Sequence, residues 1–428
     1  MAKASISRES NELTMCSRSS MRKRHPRVRV SATRSIMGFA LALITALVWV
    51  AAPALSLRPY MPGAVDFEQA IPAAKRMAPA AVASARSEHP REAAPRWVSP
   101  PIEAPHRFDL VGVAREMRAV QIRVRDDGGR WSGWVDQEDG TPIYVGGADQ
   151  AQVRASFRPR GRLHFVNVSG TSGGLAGRLL TGARRVINTA LISVASTPVA
   201  QAIAPRPRVV SRAGWGADLA DGGCRPRGAP EYGTVQAAVI HHTVNANDYT
   251  PEEAPSIVLG ICRFHVYGNG WNDIGYNALV DRFGTLYEGR AGGLKRPVVG
   301  AQAQGFNAQT TSIASIGDHT SEAPTPEAQR SIVQFLAWKM AVNRASPVNT
   351  AVQLTSAGGS QSRYRAGTVV TVPKILGHTT LGLTACPGGA MIPLVPQIQG
   401  AVQKRIKHFA KKRRKKKQRR QHAGGVPA

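Results

Sequence analysis

Acidic residues are scarce in this chain of 428 residues, which has 27 Asp and Glu against 56 Lys and Arg. Much of the resulting net charge of +29 lies at the two ends. Residues 404–420 contain twelve basic residues and no acid, and residues 1–35 contain nine basic residues and two acids, so +10 remains for the body. Hydrophobic residues make up 43% of the chain and charged residues 19%, which excludes a wholly disordered protein.

Cysteine is also rare, with four in the chain: Cys16, Cys224, Cys262 and Cys386. Cys16 falls in the N-terminal leader described below, which leaves three cysteines in the mature protein. An odd count outside the cytoplasm is typical of one disulfide plus one thiol with a chemical role. We predict a Cys224–Cys262 disulfide and a functional thiol at Cys386. The alternative, three unpaired buried cysteines, is disfavoured in an oxidising compartment.

Long apolar runs are scarce, and the clearest one lies near the N-terminus at residues 36–52. Six basic residues precede it between positions 22 and 34, and small residues follow it at 52–56. A basic region, an apolar stretch and a small-residue exit predict a secretory signal within residues 1–56. The run is also long enough to remain as an uncleaved membrane anchor. Either way, we expect an exported protein that is secreted or associated with the cell wall.

Composition and hydrophobic patterning divide the chain after this leader into five further segments. Two stretches rich in Ala lack periodicity and predict a flexible spacer and a linker. A region of short alternating strands predicts a small all-β domain, and a longer region of strands and helices predicts a mixed α/β domain. The predicted order is a spacer at 57–105, the β-rich domain at 106–168, a linker at 169–208, the α/β domain at 209–403 and a disordered basic tail at 404–428.

The predicted β-rich domain shows the period-2 pattern of half-buried strands, with Val120, Ile122 and Val124 alternating with polar or charged residues. Trp131 and Trp134 follow a turn sequence in the same region. These two side chains either fill a core or bind a sugar, and the core interpretation is the simpler one. The region contains no cluster of catalytic residue types, so we expect the chemistry in the α/β domain.

Three segments of the α/β domain place metal-ligand residue types at the ends of predicted strands. His241 and His242 end one strand, His378 follows a second apolar strand, and Cys386 comes eight residues later. Two imidazoles and one thiolate would leave zinc a fourth position for water. Zinc lowers the pKa of water and polarises a carbonyl, as amide hydrolysis requires. A single histidine after a strand is more often structural, so the prediction depends on all three segments together.

Seven motifs in residues 209–400 together resemble the peptidoglycan recognition protein and type 2 N-acetylmuramoyl-L-alanine amidase family. The β-rich region and an insertion at residues 355–359 resemble those of its secreted actinobacterial members. The seven motifs occur in family order and span nearly the whole domain. The motifs are SRAGWG at 211–216, VIHHT at 239–243, WNDIGYN at 271–277, YEGR at 287–290, residues 300–307, SIGD at 315–318 and residues 377–388. The resemblance implies a mixed central β-sheet flanked by helices, preceded here by the small all-β domain. It also implies hydrolysis of the amide between the lactyl group of muramic acid and L-alanine in peptidoglycan.

The resemblance also implies roles for individual residues. His241, His378 and Cys386 match the zinc ligands of the family. Tyr276 matches the tyrosine that acts beside the metal, where its phenol would position water or donate to the oxyanion. Thr384 matches a position that helps to hold the oxyanion. The implied cofactor is Zn²⁺, the implied reaction is attack of metal-activated water on the carbonyl, and we expect a monomer.

Other residues depart from the family pattern or have secondary roles. His242 and His265 are expected to orient neighbours rather than bind metal, and His319 is expected at the surface. Residues 377–380 read GHTT where relatives often have GHRD, so an ion pair that would brace the loop is lost. Gln302 stands where a groove-lining histidine is common. Neither departure removes a predicted zinc ligand.

The basic tail has two interpretations, because a run of charges can bind a partner or simply keep a protein soluble. Outside the membrane the available anions are wall polymers and lipid headgroups, so we expect it to bind these rather than nucleic acid. Two rival functions remain for the whole chain. One is a recognition protein that binds peptidoglycan without cutting it, although non-catalytic relatives typically lack the cysteine found here at Cys386. The other is an anchoring protein in which the β-rich domain and tail matter most.

Overall fold

The computed structural model describes residues 65–84, 94–113, 120–126, 128–137, 140–168 and 204–423. All of them belong to one compact unit, Met61–Ala428. The predicted leader at 1–56 and most of the predicted linker at 169–208 lie outside the described residues. Within the described ranges, no helix combines the length and the apolar character needed to cross a bilayer.

Residues 65–168, here called the N-terminal sheet region, form an antiparallel sheet of eight strands in which β1, β8, β4, β7, β3 and β2 are successive neighbours. Strand β5 pairs with both β6 and β7 beside this path. Apolar residues at alternate positions of β5 and β7 are buried in the core of this region, as the period-2 pattern predicts. The elements are β1 (Val65–Ala70), β2 (Lys75–Arg76), the short helix α1 (Pro79–Ser84), β3 (Trp97–Val98), β4 (Ile102–Val113), β5 (Val120–Asp126), β6 (Val135–Asp136), β7 (Ile143–Ala155) and β8 (Arg162–Asn167).

The sheet begins inside the segment that was predicted to be a spacer. Strand β1 pairs along its full length with β8, and β4 starts at Ile102. The flexible interpretation of residues 57–105 is therefore wrong for these strands, because their Ala- and Pro-rich surroundings hide short pairing segments whose partners are distant in sequence. Trp131 and Trp134 are half-buried, and the guanidinium of Arg123 lies 4.7 Å from the centre of each ring. This stacking is consistent with the structural interpretation of the two tryptophans.

The C-terminal part of the chain contains a five-stranded mixed sheet in the order β11-β10-β12-β9-β15. Strands β10, β12, β9 and β15 are parallel to one another, and β11 is antiparallel at the edge. A separate hairpin is formed by β13 and β14. The strands are β9 (Ala237–His242), β10 (Ala278–Val280), β11 (Leu286–Glu288), β12 (Thr310–Ser315), β13 (Ala351–Thr355), β14 (Val369–Pro373) and β15 (Ile375–Gly377). The predicted mixed sheet with flanking helices is confirmed.

Three longer helices accompany this sheet: α2 (Ala254–Arg263), α3 (Pro326–Val342) and α4 (Val395–Ala423). Helix α3 begins with a capping signal that is visible in the sequence: the Thr325 hydroxyl accepts a hydrogen bond from the Ala328 amide, and Pro326 occupies the first turn. Helix α2 continues into one turn of π-helix at Phe264–Gly268. Apolar side chains of α3 and α4 pack together over one face of the sheet.

The prediction of a disordered tail from residue 404 is wrong, because α4 runs without a break to Ala423. Ile398, Val402 and Ile406 anchor its first half in the core. Once this half is packed, each further residue adds a helical hydrogen bond, and Lys, Arg and Gln are good helix formers. The described side chains from 411 to 415 are exposed. The charges of residues 411–415 are thus arranged on a helix that exposes them to solvent.

Candidate metal centre

Parallel pairing brings two predicted ligand segments together at one edge of the five-stranded sheet. Strand β9 lies between β12 and β15, and Ile240 is paired with Gly377. The next residues along these two strands are His241 and His378. Since parallel strands end at the same edge, two histidines that are far apart in sequence become neighbours, with ring centres 4.5 Å apart.

Cys386 completes this group from the loop that follows His378. One donor atom from each of His241, His378 and Cys386 lies within 4.8 Å of the others. All three side chains are buried, with exposed fractions of 1%, 5% and 4%. The Cys386 sulfur is 3.5 Å from Nδ1 of His241. The structure therefore brings the three predicted ligands together.

The donor set fits zinc. Two imidazole nitrogens and one thiol are the donors that zinc favours, and three protein ligands leave a position for water or substrate. Tetrahedral zinc, with bonds of about 2.3 Å to sulfur and about 2.0 Å to nitrogen, separates such atoms by roughly 3.5 Å. The distance between the Cys386 sulfur and His241 Nδ1 has this value.

A chain of hydrogen bonds determines which nitrogen of His241 faces the sulfur. The Thr310 hydroxyl donates to the Phe306 carbonyl and accepts from the Gln302 amide nitrogen, both at 2.9 Å. The Gln302 amide oxygen therefore points to Nε2 of His241, 2.8 Å away. Because an amide oxygen can only accept, Nε2 carries the proton and the Nδ1 lone pair faces Cys386. Gln302 thus orients His241, a role that sequence comparison with a groove-lining histidine did not predict.

Burial keeps this imidazole neutral, which is the form that can bind a metal. Desolvation, and then the neighbouring His378, hold the pKa of His241 well below its ordinary value. The thiol of Cys386 is buried as well and takes no part in a disulfide. The backbone amide of His242 donates to its sulfur at 3.4 Å.

The loop that carries His378 and Cys386 is braced by backbone and side-chain contacts. The Thr379 amide donates to the Cys386 carbonyl at 2.7 Å, and the Cys386 amide donates to the Thr384 hydroxyl at 3.1 Å. At Gly382 any Cβ atom would lie 2.7 Å from Nε2 of His378, so only glycine permits this approach. Thr384 is buried and holds the backbone of Cys386. Its role in stabilising an oxyanion stays a prediction.

Arg363 supplies a brace to the same loop, whose sequence lacks the ion pair common in relatives. Its guanidinium donates to the Thr379 carbonyl at 2.9 and 3.1 Å and to the Gly382 carbonyl at 3.1 Å. Arg363 lies in the segment between β13 and β14. The loop is therefore braced from outside, which no local sequence signal indicated.

Tyr276 lines a cavity of about 150 Å³ together with the three predicted ligands. Its ring centre is 5.3 Å from that of His241 and 5.7 Å from that of His265. His265 stacks on Trp271 and accepts from the Gly275 amide at 3.2 Å, and burial lowers its pKa to about 3. The lining residues are Thr141, His241, His242, Val244, His265, Trp271, Tyr276, Ala301, Gln302, Gln304, Asn307, Gln361, His378 and Cys386.

Two further histidines, His242 and His319, contact each other beside the ends of β9 and β12. His242 accepts a hydrogen bond from the backbone amide of His319 at 3.1 Å, so it orients a neighbour as expected. The expectation that His319 is a surface residue is wrong, because only 5% of it is exposed. Its ring contacts the Ser315 hydroxyl at 2.7 Å and the Glu322 carbonyl at 3.0 Å, because the loop folds back over β12. Burial lowers the pKa of His319 to about 4.

The predicted disulfide between Cys224 and Cys262 is present, and among the described residues Cys386 is the cysteine that takes no part in a disulfide. The bond links the segment before β9 to helix α2. Both sulfurs lie in a buried apolar cluster that also contains Trp215 and Phe264. The disulfide therefore stabilises the scaffold of the cavity and is separate from its chemistry.

Comparison with known proteins agrees with this geometry. Residues 231–389 match the Amidase_2 family, described as N-acetylmuramoyl-L-alanine amidase. Peptidoglycan-recognition protein SC2 of Drosophila simulans is 30% identical over 204 residues, which are 47% of this chain and 91% of that protein. The chain belongs to the peptidoglycan recognition protein and type 2 amidase family. The matched region contains every predicted zinc ligand of the family.

Further matches include a protein named as an amidase and a solved structure. The N-acetylmuramoyl-L-alanine amidase of Sus scrofa is 28% identical over 197 residues, which are 44% of this chain and 27% of that protein. The chain therefore spans about a quarter of the length of that amidase. The solved structure of Drosophila PGRP-LB is 25% identical, and the match covers 44% of this chain and 91% of that one with a TM-score of 0.34.

Proposed function

We propose that this protein is a zinc-dependent N-acetylmuramoyl-L-alanine amidase that cuts peptidoglycan between the muramic acid lactyl group and L-alanine. The observation that carries the proposal is the complete donor set, in which His241, His378 and Cys386 share one small buried space. A protein that only recognises peptidoglycan has no chemical need for a thiol at this position. The buried, neutral and oriented imidazole of His241 fits a ligand better than a sugar contact.

The residues around the donor set have distinct tasks in this reaction. The chemistry that a bound zinc supplies is a lowered water pKa and a polarised amide carbonyl. His241, His378 and Cys386 would hold the ion, and Gln302 keeps Nδ1 of His241 available for it. Tyr276 lines the same cavity, where its phenol can orient the attacking water or donate to the developing oxyanion.

The substrate side of the cavity is rich in amide groups. Gln304, Asn307 and Gln361 contribute carboxamide side chains to the lining, and Trp271 contributes an aromatic surface. Carboxamides both donate and accept hydrogen bonds, so they suit a stem peptide made of amide units. The lining of this cavity therefore supports a peptidoglycan fragment as the ligand.

Purified cell wall provides the direct test of catalysis. The full-length protein should contain about one zinc per chain and release stem peptides that begin with L-alanine. A chelator should stop release, and added zinc should restore it. Wall binding without release of peptides, with zinc present, would instead support the recognition function.

We further propose that the protein is exported and is held at the cell wall or envelope by helix α4. The exposed cations of this helix can bind anionic wall polymers or lipid headgroups, and such binding weakens as salt screens the charges. Removing residues 411–428, which leaves the core residue Ile406 in place, should reduce retention on purified wall at low salt and have little effect at high salt. Equal retention at low salt with and without these residues would refute the proposal and leave a solubilising role.

A further inference from the structure

The N-terminal sheet region contributes one side chain to the lining of the cavity, Thr141. This residue precedes β7 and is only 5% exposed. Its hydroxyl oxygen is 3.2 Å from the phenol oxygen of Tyr276, although the two residues are 135 positions apart. A region that the sequence suggested to be a separate domain therefore reaches the centre of the site.

The backbone beside Thr141 is held by the other part of the protein. The Asn269 side chain donates to the Gly140 carbonyl at 2.6 Å. Asn269 directly follows the π-helical turn Phe264–Gly268, which also carries His265 of the cavity lining. The same turn thus supports the cavity and fixes the segment that delivers Thr141.

Close packing makes this arrangement rigid. Leu110, Tyr144, Val166 and Val168 of the N-terminal sheet region share one buried cluster with the apolar face of α2. Gly260 of α2 has no side chain, and a Cβ there would lie 2.2 Å from the Leu110 side chain. An ion pair between Arg263 and Asp66 joins the same two parts at the edge of the cluster. These contacts join the N-terminal sheet region to α2, so the position of Thr141 relative to Tyr276 is set by a shared core.

We propose that Thr141 is a positioning residue for Tyr276, and that the N-terminal sheet region thereby completes the active site. The inference rests on the proposed amidase function. A phenol can rotate its O–H about the C–O bond and tilt its ring, and either motion changes where its proton points. A hydroxyl partner held by a rigid core selects one direction. Thr141 acts through Tyr276 and has no chemical role of its own in the reaction.

The test uses full-length zinc-loaded protein with two substitutions at the same position. Thr141→Val keeps the shape and removes the hydroxyl, whereas Thr141→Ser keeps the hydroxyl. The kcat and KM for a soluble muropeptide are measured together with the ¹³C spectrum of proteins labelled at the tyrosine Cζ. The Tyr276 resonance is identified by its absence in Tyr276→Phe.

Thr141→Val should shift the Tyr276 resonance and lower kcat about three- to tenfold, as expected for one hydrogen bond, with little change in KM. Thr141→Ser should keep the wild-type resonance and rate. In the Tyr276→Phe background, Thr141→Val should cause no further loss, because a residue that acts only through the phenol has nothing left to position.

Three results would overturn the positioning role. The first is a Tyr276 resonance that does not move in Thr141→Val, and the second is an equal loss of rate in the Val and Ser variants. The third is a double variant whose loss of rate is the product of the losses in Thr141→Val and Tyr276→Phe. Absence of hydrolysis by the wild-type protein would contradict the amidase proposal and the inference that rests on it. Hydrolysis by wild type with an unchanged Thr141→Val variant would contradict only the inference.

Discussion

The cavity has two sides that are built in different ways. The metal-facing side, formed by His241, His378 and Cys386, lies at the ends of adjacent parallel strands and in the loop that follows them. The tyrosine side, formed by Thr141 and Tyr276, depends on two sheets packing against the same helix. The predicted ligand residues can thus be found from motifs in the sequence. A group that orients a reacting side chain can instead come from a region that is distant in sequence.

Cys386→Ser should cause the largest loss of activity. This loss should come from the metal-facing side alone. A hydroxyl is a much poorer zinc ligand than a thiolate, so we expect loss of bound zinc and at least about a thousandfold lower activity. Metal analysis and wall digestion measure both quantities. The Tyr276 resonance should stay close to its metal-free wild-type position, and full activity in this variant would contradict the ligand set.

Gln302→Ala should weaken the metal-facing side without removing a ligand. The variant loses the acceptor that holds Nε2–H of His241, and loss of such support typically costs 10- to 100-fold in metal affinity. Competition with a fluorescent chelator measures the zinc affinity. Gln304→Ala is the matched control, because Gln304 lines the cavity and contacts the amide of Gln361 instead of His241. Equal affinities in the two variants would contradict the role of Gln302.

Lowering the pH should destabilise the protein by protonating His319, a buried histidine that contacts His242. The folded-state pKa of His319 is about 4, whereas the unfolded value is about 6.5, so the unfolded chain binds more protons between these values. Stability is therefore lost as pH falls from about 6.5 to about 4, by up to about 3 kcal/mol from this residue. In denaturant titrations at several pH values, His319→Gln should reduce this dependence of the free energy of unfolding on pH. His408→Gln, at an exposed position of α4, should leave it unchanged.

Arg363→Met should loosen the loop of the metal-facing side from outside the cavity. The variant leaves the Thr379 and Gly382 carbonyls without their guanidinium donor, so we expect a loss of about 1–3 kcal/mol in the free energy of unfolding. Urea titration measures the loss. Arg365→Met removes an exposed cation two residues away and should change stability by less than about 0.5 kcal/mol.

Asn269→Ala should cause the smallest loss of activity, and this loss should come from the tyrosine side. Loss of the 2.6 Å hydrogen bond to the Gly140 carbonyl should lower the free energy of unfolding by about 1 kcal/mol and lower kcat about twofold. The zinc affinity should stay unchanged. Asn272→Ala removes longer contacts, beginning at 3.4 Å, and should change less. A larger change in zinc affinity than in kcat would show that the two sides are not separable in this way.

Some predictions failed where local composition was misleading. Residues 65–70 and 102–105 read as spacer because the partners that make them strands lie far along the chain. The basic tail reads as disordered because charge repulsion is visible in sequence, while the anchoring of α4 through Ile398 and Val402 is not. His319 reads as a surface residue because only the folded loop places Ser315 and Glu322 around its ring.

The sequence by itself determined the mixed α/β fold, the start of α3, the Cys224–Cys262 disulfide and the family to which the chain belongs. These features follow from local periodicity, capping residues and motifs that keep their order along the chain. Only the tertiary structure decided which nitrogen of His241 faces Cys386 and that Thr141 contacts Tyr276. Such contacts depend on how separate elements pack, and packing at distances of a few ångströms is not encoded by any short stretch of sequence.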